Sequence, residues 1–486
     1  FGAVVRTEAS TIAGFGETID GLVDGRREEL VALAECYQVA VAAQDREEVA
    51  RLDAAINKIV DEINVFNAVA VENLSMAEVL TLGAFLSSPA AAEYLNSARQ
   101  MLVNGKYIPE FIFAGAATRL LTDLEKVLER KLNPADFRMY GLDLWKVIEL
   151  LKNNMDLVRK NKPELVDVLE NVDLTRLERL TLGMGSRQIV AYRRFLENLA
   201  QAEGLNPAEV IAKQTLIMHI NEEVAQEALQ DFIDNDFHGF DASKVYFIIQ
   251  DVFGGFRLAQ AETVYAQESA TLPYGHGYAT NQLAYTGASF RIIGARTSDI
   301  ETIHEDLLAH LGHANIMMIG THRVNDLTKL ITDRTDTLQG AVAEVDKLAF
   351  GLYLIDNGFD VVVELVENPG KQKGGNMLQD VVTGKKFLIE TSNTKGSKEL
   401  TAFLDEAGKL GSPYNAFRLM YKPTALHTLL TSGLPYNLRF KNGYFYLESV
   451  TGDITQLPQA NAEAFKREEE LIHDFKELKN LPEAIE

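Results

Sequence analysis

The sequence predicts an α/β fold, a mixed and mostly parallel sheet with helices on both faces, together with a helical N-terminal domain and a helical insertion. Three observations lead there. From about Leu180, short β-branched and aromatic runs alternate with amphipathic stretches, the rhythm of strands joined by crossover helices. Before Pro109, apolar residues instead recur three and four apart, the spacing of helices packed by one face. The third is the length: 486 residues exceed what one hydrophobic core organises, so two or three packed units are expected.

In chain order, "REELVALAECYQVAVAAQ", "REEVARLDAAINKIVDEINVFNAVA" and "SMAEVLTLGAFL" read as helices. Ser75 with Glu78 offers a capping box for the last of these. "EFIFAG" reads as a buried strand. Helical sequence returns over about 122–177, with a break at Lys162-Pro163. "SRQIVAYRRFLENLAQAEG" is a helix closed by Gly204. "KQTLIMHI", "KVYFIIQD", "ANIMMIGT", "FDVVVELVE" and "KKFLIET" are strands, and "NEEVAQEALQDFIDND" is a capped helix. "LPYNLRFKNGYFYLESVT" predicts a hairpin turning at Asn442-Gly443. "EAFKREEELIHDFKELKNL" reads as a terminal charged helix. The resulting division is 1–106 helical, 107–410 α/β with the insertion at 122–177, and 411–486 a C-terminal segment.

Composition restricts the partners. Lys plus Arg total 47 against 70 Asp plus Glu, a net charge of −23 that opposes general binding to nucleic acid or an anionic membrane. Cys36 is the only cysteine, which rules out an intramolecular disulfide. No apolar stretch approaches the roughly 20 residues that span a bilayer, and the N-terminal sequence lacks signal-peptide features. A cytoplasmic location is the expectation.

Three segments carry candidate chemistry. In "PEFIFAGAATRLL" a strand runs through Ala114, Gly115 and Ala116 to Arg119. Small residues let backbone N–H groups approach a polyanion, a helix start adds partial positive charge, and Arg119 offers a fork of donors. A plain tight turn with Arg119 on the surface is the alternative. In "TLPYGHGYATNQLAYTG", Gly275 and Gly277 flank His276 before a helix, a backbone able to wrap a ring or sugar. In "ENPGKQKGGN", Lys371 and Lys373 sit in a glycine-rich loop after a strand, the edge where open α/β sheets bind ligands. A structural glycine loop and a solvated basic loop are the respective alternatives.

The order and content of these blocks resemble the UDP-sugar pyrophosphorylase family, the UTP–sugar-1-phosphate uridylyltransferases. "FIFAGAATRL" is similar to its nucleotide loop, "LTLGMGSRQIVAYRRFLENLA" to its Pro-Lys-Gly segment and helix, and "PYGHG" to its Pro-Gly-Gly-His-Gly loop. "LIMHINEEVAQEALQDFIDNDFHGFDASKVYFIIQD" and "LRFKNGYFYLESVTGDITQL" follow in the family's order. The resemblance covers roughly 109–121 and 178–457. It implies a glycosyltransferase-A-like, Rossmann-like sheet and transfer of a uridylyl group from UTP to a sugar 1-phosphate with Mg²⁺. By the same resemblance, Ala114, Gly115, Ala116, Arg119 and Arg187 would meet the phosphates, with Lys373 and Lys422 as further cations. His219, Gln250, Gly275, His276 and Gly277 would hold the nucleoside; Glu367, Asn368, Gly375 and Asn415 the sugar; Asp326 the metal. The chain departs from the pattern in having Ala116 and Ala117 where glycines are common, Arg187 where the family places a lysine, and a metal segment reading Val-Asn-Asp, in which either Asn325 or Asp326 would take the ligand position. A non-catalytic relative that binds a nucleotide or sugar phosphate, or acts as a scaffold, and an unrelated α/β protein both stay open.

Overall fold

The computed structural model describes the chain except residues 1–7, 67, 114–117, 138–139, 174–181, 251, 268, 270–271, 313–314, 324–337, 368–374, 391–392, 410–411, 468–477 and 483–486. Its N-terminal helices are α1 (Glu8–Val23), α2 (Arg27–Ala42) and α3 (Arg46–Ile63). Asp45 caps α3 by accepting from the Glu48 N–H at 3.1 Å. These helices bury Phe15, Ile19, Leu30, Leu52 and Ile56 against the hairpin Asn437–Lys441/Tyr444–Glu448. Asn442 and Gly443 both have positive φ, 55° and 87°, as the hairpin's Asn-Gly turn requires. The buried side chain of Asn64 fastens the two parts. Its Nδ2 donates to the Leu438 carbonyl and its Oδ1 accepts the Leu438 N–H, both at 2.7 Å.

The central sheet contains β1 (Leu80–Thr81), β2 (Tyr107–Ile112), β3 (Leu216–Asn221), β4 (Val245–Gln250), β5 (Ser289–Ile292), β6 (Ile300–Thr302), β7 (Met318–Arg323), β8 (Val361–Val366), β9 (Tyr414–Tyr421) and β10 (Ala462–Arg467). Their order is β6-β5-β4-β3-β2-β7-β9-β8-β10-β1. β5 and β9 pair antiparallel with both neighbours and the remaining pairs are parallel, so every strand but those two ends at the same edge.

Both faces are covered, which is why strands such as "VVVELV" are apolar without alternation. Phe111, Met218 and Val362 share a core with Leu102 of α4 (Ala91–Val103), Leu124 of α5 (Thr118–Leu128), Leu196 of α6 (Met184–Ala202) and Phe232 of α7 (Ala225–Asp234). α8 (Gly275–Asn281) joins the N-terminal helices through Tyr278, and α9 (Leu338–Asp356) returns to the first core through Leu352. On the other face, Ile108, Ile217 and Val363 pack with Leu426 of α10 (Pro423–Thr431).

Two expectations need correction. Ser75 caps no helix: Leu74–Met76 is a strand of a separate three-stranded sheet with Asn376–Asp380 and Lys386–Ile389, "KKFLIET" included. The start of the expected terminal helix is instead β10, where Ala464 and Phe465 are buried between β8 and β1, and 468–477 lie outside the described residues. Tertiary pairing overrides helical periodicity in a segment this short. The C-terminal hairpin shares its core with α1 to α3, and β1 joins the central sheet.

Candidate functional site

Among the described residues, the parallel strands bring Gln250 and, just past their ends, Arg119 and Glu367 to one edge. β2 ends at Ile112, and Phe113 donates its N–H to the His219 carbonyl at 2.8 Å. Ala114, Gly115 and Ala116 lie outside the described residues. α5 then begins, with Arg119 exposed in its first turn. β4, two strand spacings or about 10 Å away, ends in Gln250 at the same edge. β7 and β8 also end there, leading into 324–337 and, past Glu367, into 368–374. Asp326, Asn368 and Lys373 therefore fall outside the described residues.

The glycine turn is built tightly. Gln250 is buried and its Nε2 donates to the Gly275 carbonyl at 3.0 Å. Gly275 has φ +82°, and a Cβ there would stand 2.3 Å from the Ser449 carbonyl oxygen. A Cβ on Gly277 would meet Ser449 Oγ at 2.5 Å. Both glycines are therefore required by close approach, and Gly275 also by its backbone angle. The segment Ser449–Gln456 lies over the turn as a strap. Ser449 donates to the Tyr274 carbonyl at 3.0 Å and accepts from the Gly277 N–H at 2.9 Å. The Thr451 N–H donates to His276 Nδ1 at 3.0 Å, with Thr451 Oγ1 2.8 Å from the same atom. An Nδ1 that accepts places the ring proton of neutral His276 on Nε2, which is then a donor.

The strap continues to the expected sugar end. Leu388 donates its N–H to Thr455 Oγ1 at 2.8 Å, and Gln456 Nε2 donates to the Leu388 carbonyl at 3.0 Å. Gly375 is buried beside Glu390, whose Oε1 would be 2.8 Å from a Cβ at that position. Its carbonyl accepts the Asn415 N–H at 2.8 Å. Asn415 pairs with Leu365 just past a bulge in the β8–β9 register at Glu364. The half-buried Glu367 stands 3.6 Å from Lys466 Nζ. Gly375 and Asn415 are thus in contact, and the strap reaches from Leu388, which lies beside Gly375, to His276.

Two expected residues are placed elsewhere. His219 exposes no surface; its Nε2 is 2.9 Å from the equally buried Glu110 Oε1, in the sheet beneath the edge. Lys422 follows β9, which runs against its neighbours, so it emerges at the opposite edge, where its N–H bonds the Asp360 carbonyl at 3.0 Å. The reason is topological: an antiparallel strand reverses which edge its C-terminus reaches. Arg187 is buried, at 4% exposure, near the start of α6. The neighbouring Ser186 Oγ and Tyr140 Oη each donate to Asp231 Oδ2 at 2.7 Å, which anchors that helix start.

The sequence reading did not single out two buried polar groups. Asp453 in the strap accepts from Gln456 Nε2 at 2.9 Å, the Val450 N–H at 3.3 Å and Asn437 Nδ2 at 3.4 Å. Burial, reinforced by the charge of Glu390, pushes its carboxyl up to about 7. Glu364 lies between Arg467 Nε and Arg418 Nε, the latter at 3.4 Å, all three buried beside the Asn415 bulge. Isolated charges within strands give no local signal for such pairing. Among the described residues, no group of three or more His, Cys, Asp or Glu could hold a metal ion, and no helix is long and apolar enough to cross a membrane.

No protein-family model and no curated protein sequence matches the chain. Its fold does match solved structures. UDP-N-acetylglucosamine pyrophosphorylase from Trypanosoma brucei, solved with an inhibitor, aligns at TM-score 0.53 and 11% identity over 96% of this chain and 83% of that one. UDP-glucose pyrophosphorylase from Leishmania major, solved in open and closed structures, aligns at TM-score 0.52 and 12% identity over 93% and 78%. A variant of that enzyme in complex with UDP-glucose aligns at TM-score 0.50 and 14% identity over the same shares. At these identities the likeness is one of fold: the architecture is that of the UDP-sugar pyrophosphorylases.

Proposed function

We propose that this chain, which shares the fold of the UDP-sugar pyrophosphorylases, transfers a uridylyl group from UTP to a sugar 1-phosphate, giving a UDP-sugar and pyrophosphate. The observation that carries the reading is the joined cradle Gln250–Gly275–His276–Thr451, at the edge where β2 also delivers Arg119. The glycine turn would lie against the nucleoside, and His276 Nε2 and Gln250 Oε1 would be polar groups for a ring bearing both carbonyl acceptors and an imide N–H. Ala114, Gly115, Ala116 and Arg119 would hold the triphosphate. Glu367, Asn368, Gly375 and Asn415 would orient the sugar.

A phosphate oxygen of the sugar 1-phosphate would form a bond to the α-phosphorus of UTP as the α–β bridging bond breaks. Pyrophosphate carries the bonding pair away, so no protein nucleophile is needed. The requirement is to align two anions and neutralise their charge. Arg119, Arg187 and Lys373 are the candidate cations. Magnesium would supply further neutralisation as a Lewis acid on phosphate oxygens. A site of one carboxylate, Asp326, plus substrate phosphates and water suits that hard ion.

Incubation with UTP, Mg²⁺ and a panel of sugar 1-phosphates, with pyrophosphate measured, tests the reading. Release of pyrophosphate that depends on one sugar 1-phosphate is expected. Nucleotide binding with no turnover on any of them would favour the second reading, a non-catalytic binder. The burial of Arg187, the residue standing in for the family's lysine, favours that alternative.

A further inference from the structure

The turn that carries His276 rests on a ring from the N-terminal helices. Phe15 of α1 stacks on Tyr274, with ring centroids 4.6 Å apart and planes at 26°. It meets Tyr278, on the far side of His276, edge-on at 5.9 Å. Phe253 and Tyr436 close the same cluster at 5.3 and 5.7 Å from Phe15. Tyr274 is fully buried, and its hydroxyl donates to the Gly254 carbonyl at 3.2 Å. Gly275, His276 and Gly277 are thus held between two supports. The strap lies on one side through Ser449 and Thr451. On the other, the rings of Tyr274 and Tyr278 are wedged by Phe15, over 250 positions away, and by Phe253, whose ring centroid lies 5.0 and 5.8 Å from theirs.

We infer that Phe15 is a positioning residue for the nucleoside-binding turn, so that α1 to α3 form part of the nucleotide half of the site. The inference rests on the function proposed above. Stacked aromatic pairs contribute through specific geometry beyond the area they bury, and small displacements of binding groups are costly to ligand affinity. Phe253 meets Tyr274 only edge-on, so removing Phe15 takes away the stacked face and lets Tyr274 tilt, and Gly275 and His276 follow because they are its immediate neighbours. Arg119 and the Gly375–Asn415 end belong to other elements and do not move with it.

The test uses the full chain with Phe15→Leu, which keeps apolar volume but removes the planar stack, and Ile56→Val as a control in the same core away from the turn. KM for UTP is expected to rise about 10-fold in Phe15→Leu. KM for the sugar 1-phosphate at saturating UTP, and kcat, should hold. Amide exchange at Gly277 should quicken in Phe15→Leu alone. Phe15→Tyr, which restores a ring, should recover most of the UTP affinity. Unchanged UTP affinity and exchange in Phe15→Leu, or an equal loss in Ile56→Val, would overturn the inference while leaving the functional proposal standing. Wild-type protein that binds no uridine nucleotide would overturn both.

Discussion

Gln250 Nε2 donates to the Gly275 carbonyl at 3.0 Å, so the last residue of a central strand directly holds a turn 25 residues further along the chain. The bond links the sheet, which is rigid, to the loop that carries His276. It uses one of the two N–H donors of the Gln250 side-chain amide.

Gly275→Ala should therefore fail on two counts. Positive φ alone costs about 1–3 kcal/mol for a residue with a Cβ, and the new atom would also collide with the Ser449 carbonyl. Urea denaturation should show at least that loss, with UTP affinity falling further than stability does. A variant that melts and binds like the wild type would mean that the turn is differently shaped.

Arg119 and Lys422 lie at opposite edges of the sheet and should behave oppositely. Arg119→Ala removes an exposed cation at the proposed phosphate end, and KM for UTP should rise by roughly 10- to 100-fold with little change in melting temperature. Lys422→Ala should leave turnover unaltered. Equal loss in both would contradict the edge assignment.

Asp453 makes stability depend on pH in a defined direction. Its folded carboxyl titrates at about 7, above the ordinary value of 3.8. Between those values the unfolded chain has released the proton and the folded chain keeps it. Stability from this group is therefore greatest at low pH and is lost as pH rises through about 7. The loss is on the order of a few kcal/mol. The charged groups acting on it are Glu390 and Glu448, which oppose ionisation, and Arg439, which favours it. Asp453→Asn should flatten this slope in denaturation curves taken from pH 5 to 8; an unchanged slope would assign it to another group.

Glu364 separates two buried guanidinium groups beside the bulge that sets Asn415. Glu364→Ala leaves Arg418 and Arg467 without that carboxylate and should destabilise the fold by about 3–5 kcal/mol, measured by chemical denaturation. KM for the sugar 1-phosphate should rise as well, because the bulge relaxes. A change below about 1 kcal/mol would mean that other partners already satisfy both arginines.

β2, β3, β4, β7 and β8 were legible because each is a short apolar run bounded by polar turns, and the hairpin because Asn442-Gly443 demands positive φ twice. The strand Leu74–Met76 and β10 were not. Each is short enough that its neighbours, rather than its own periodicity, decide its conformation. His219 lies within the strand read at "KQTLIMHI", and only the family resemblance implied a pocket role for it; its register with Ile112 and Ile248 puts it inside the sheet against Glu110. Asp453 was not singled out, because its burial arises where the strap meets Asn437 of the hairpin, a contact between distant segments.

By itself the amino-acid order determined local matters: where strands and helices start, which turns need glycine, and which residue types stand at strand ends. Those follow from interactions a few residues apart. Which edge each strand end reaches, that β9 runs backwards and carries Lys422 away, and that Phe15 reaches Tyr274 were decided only in the folded chain. Such contacts join distant segments, and their free energy exists only once the sheet and its cores have closed around them.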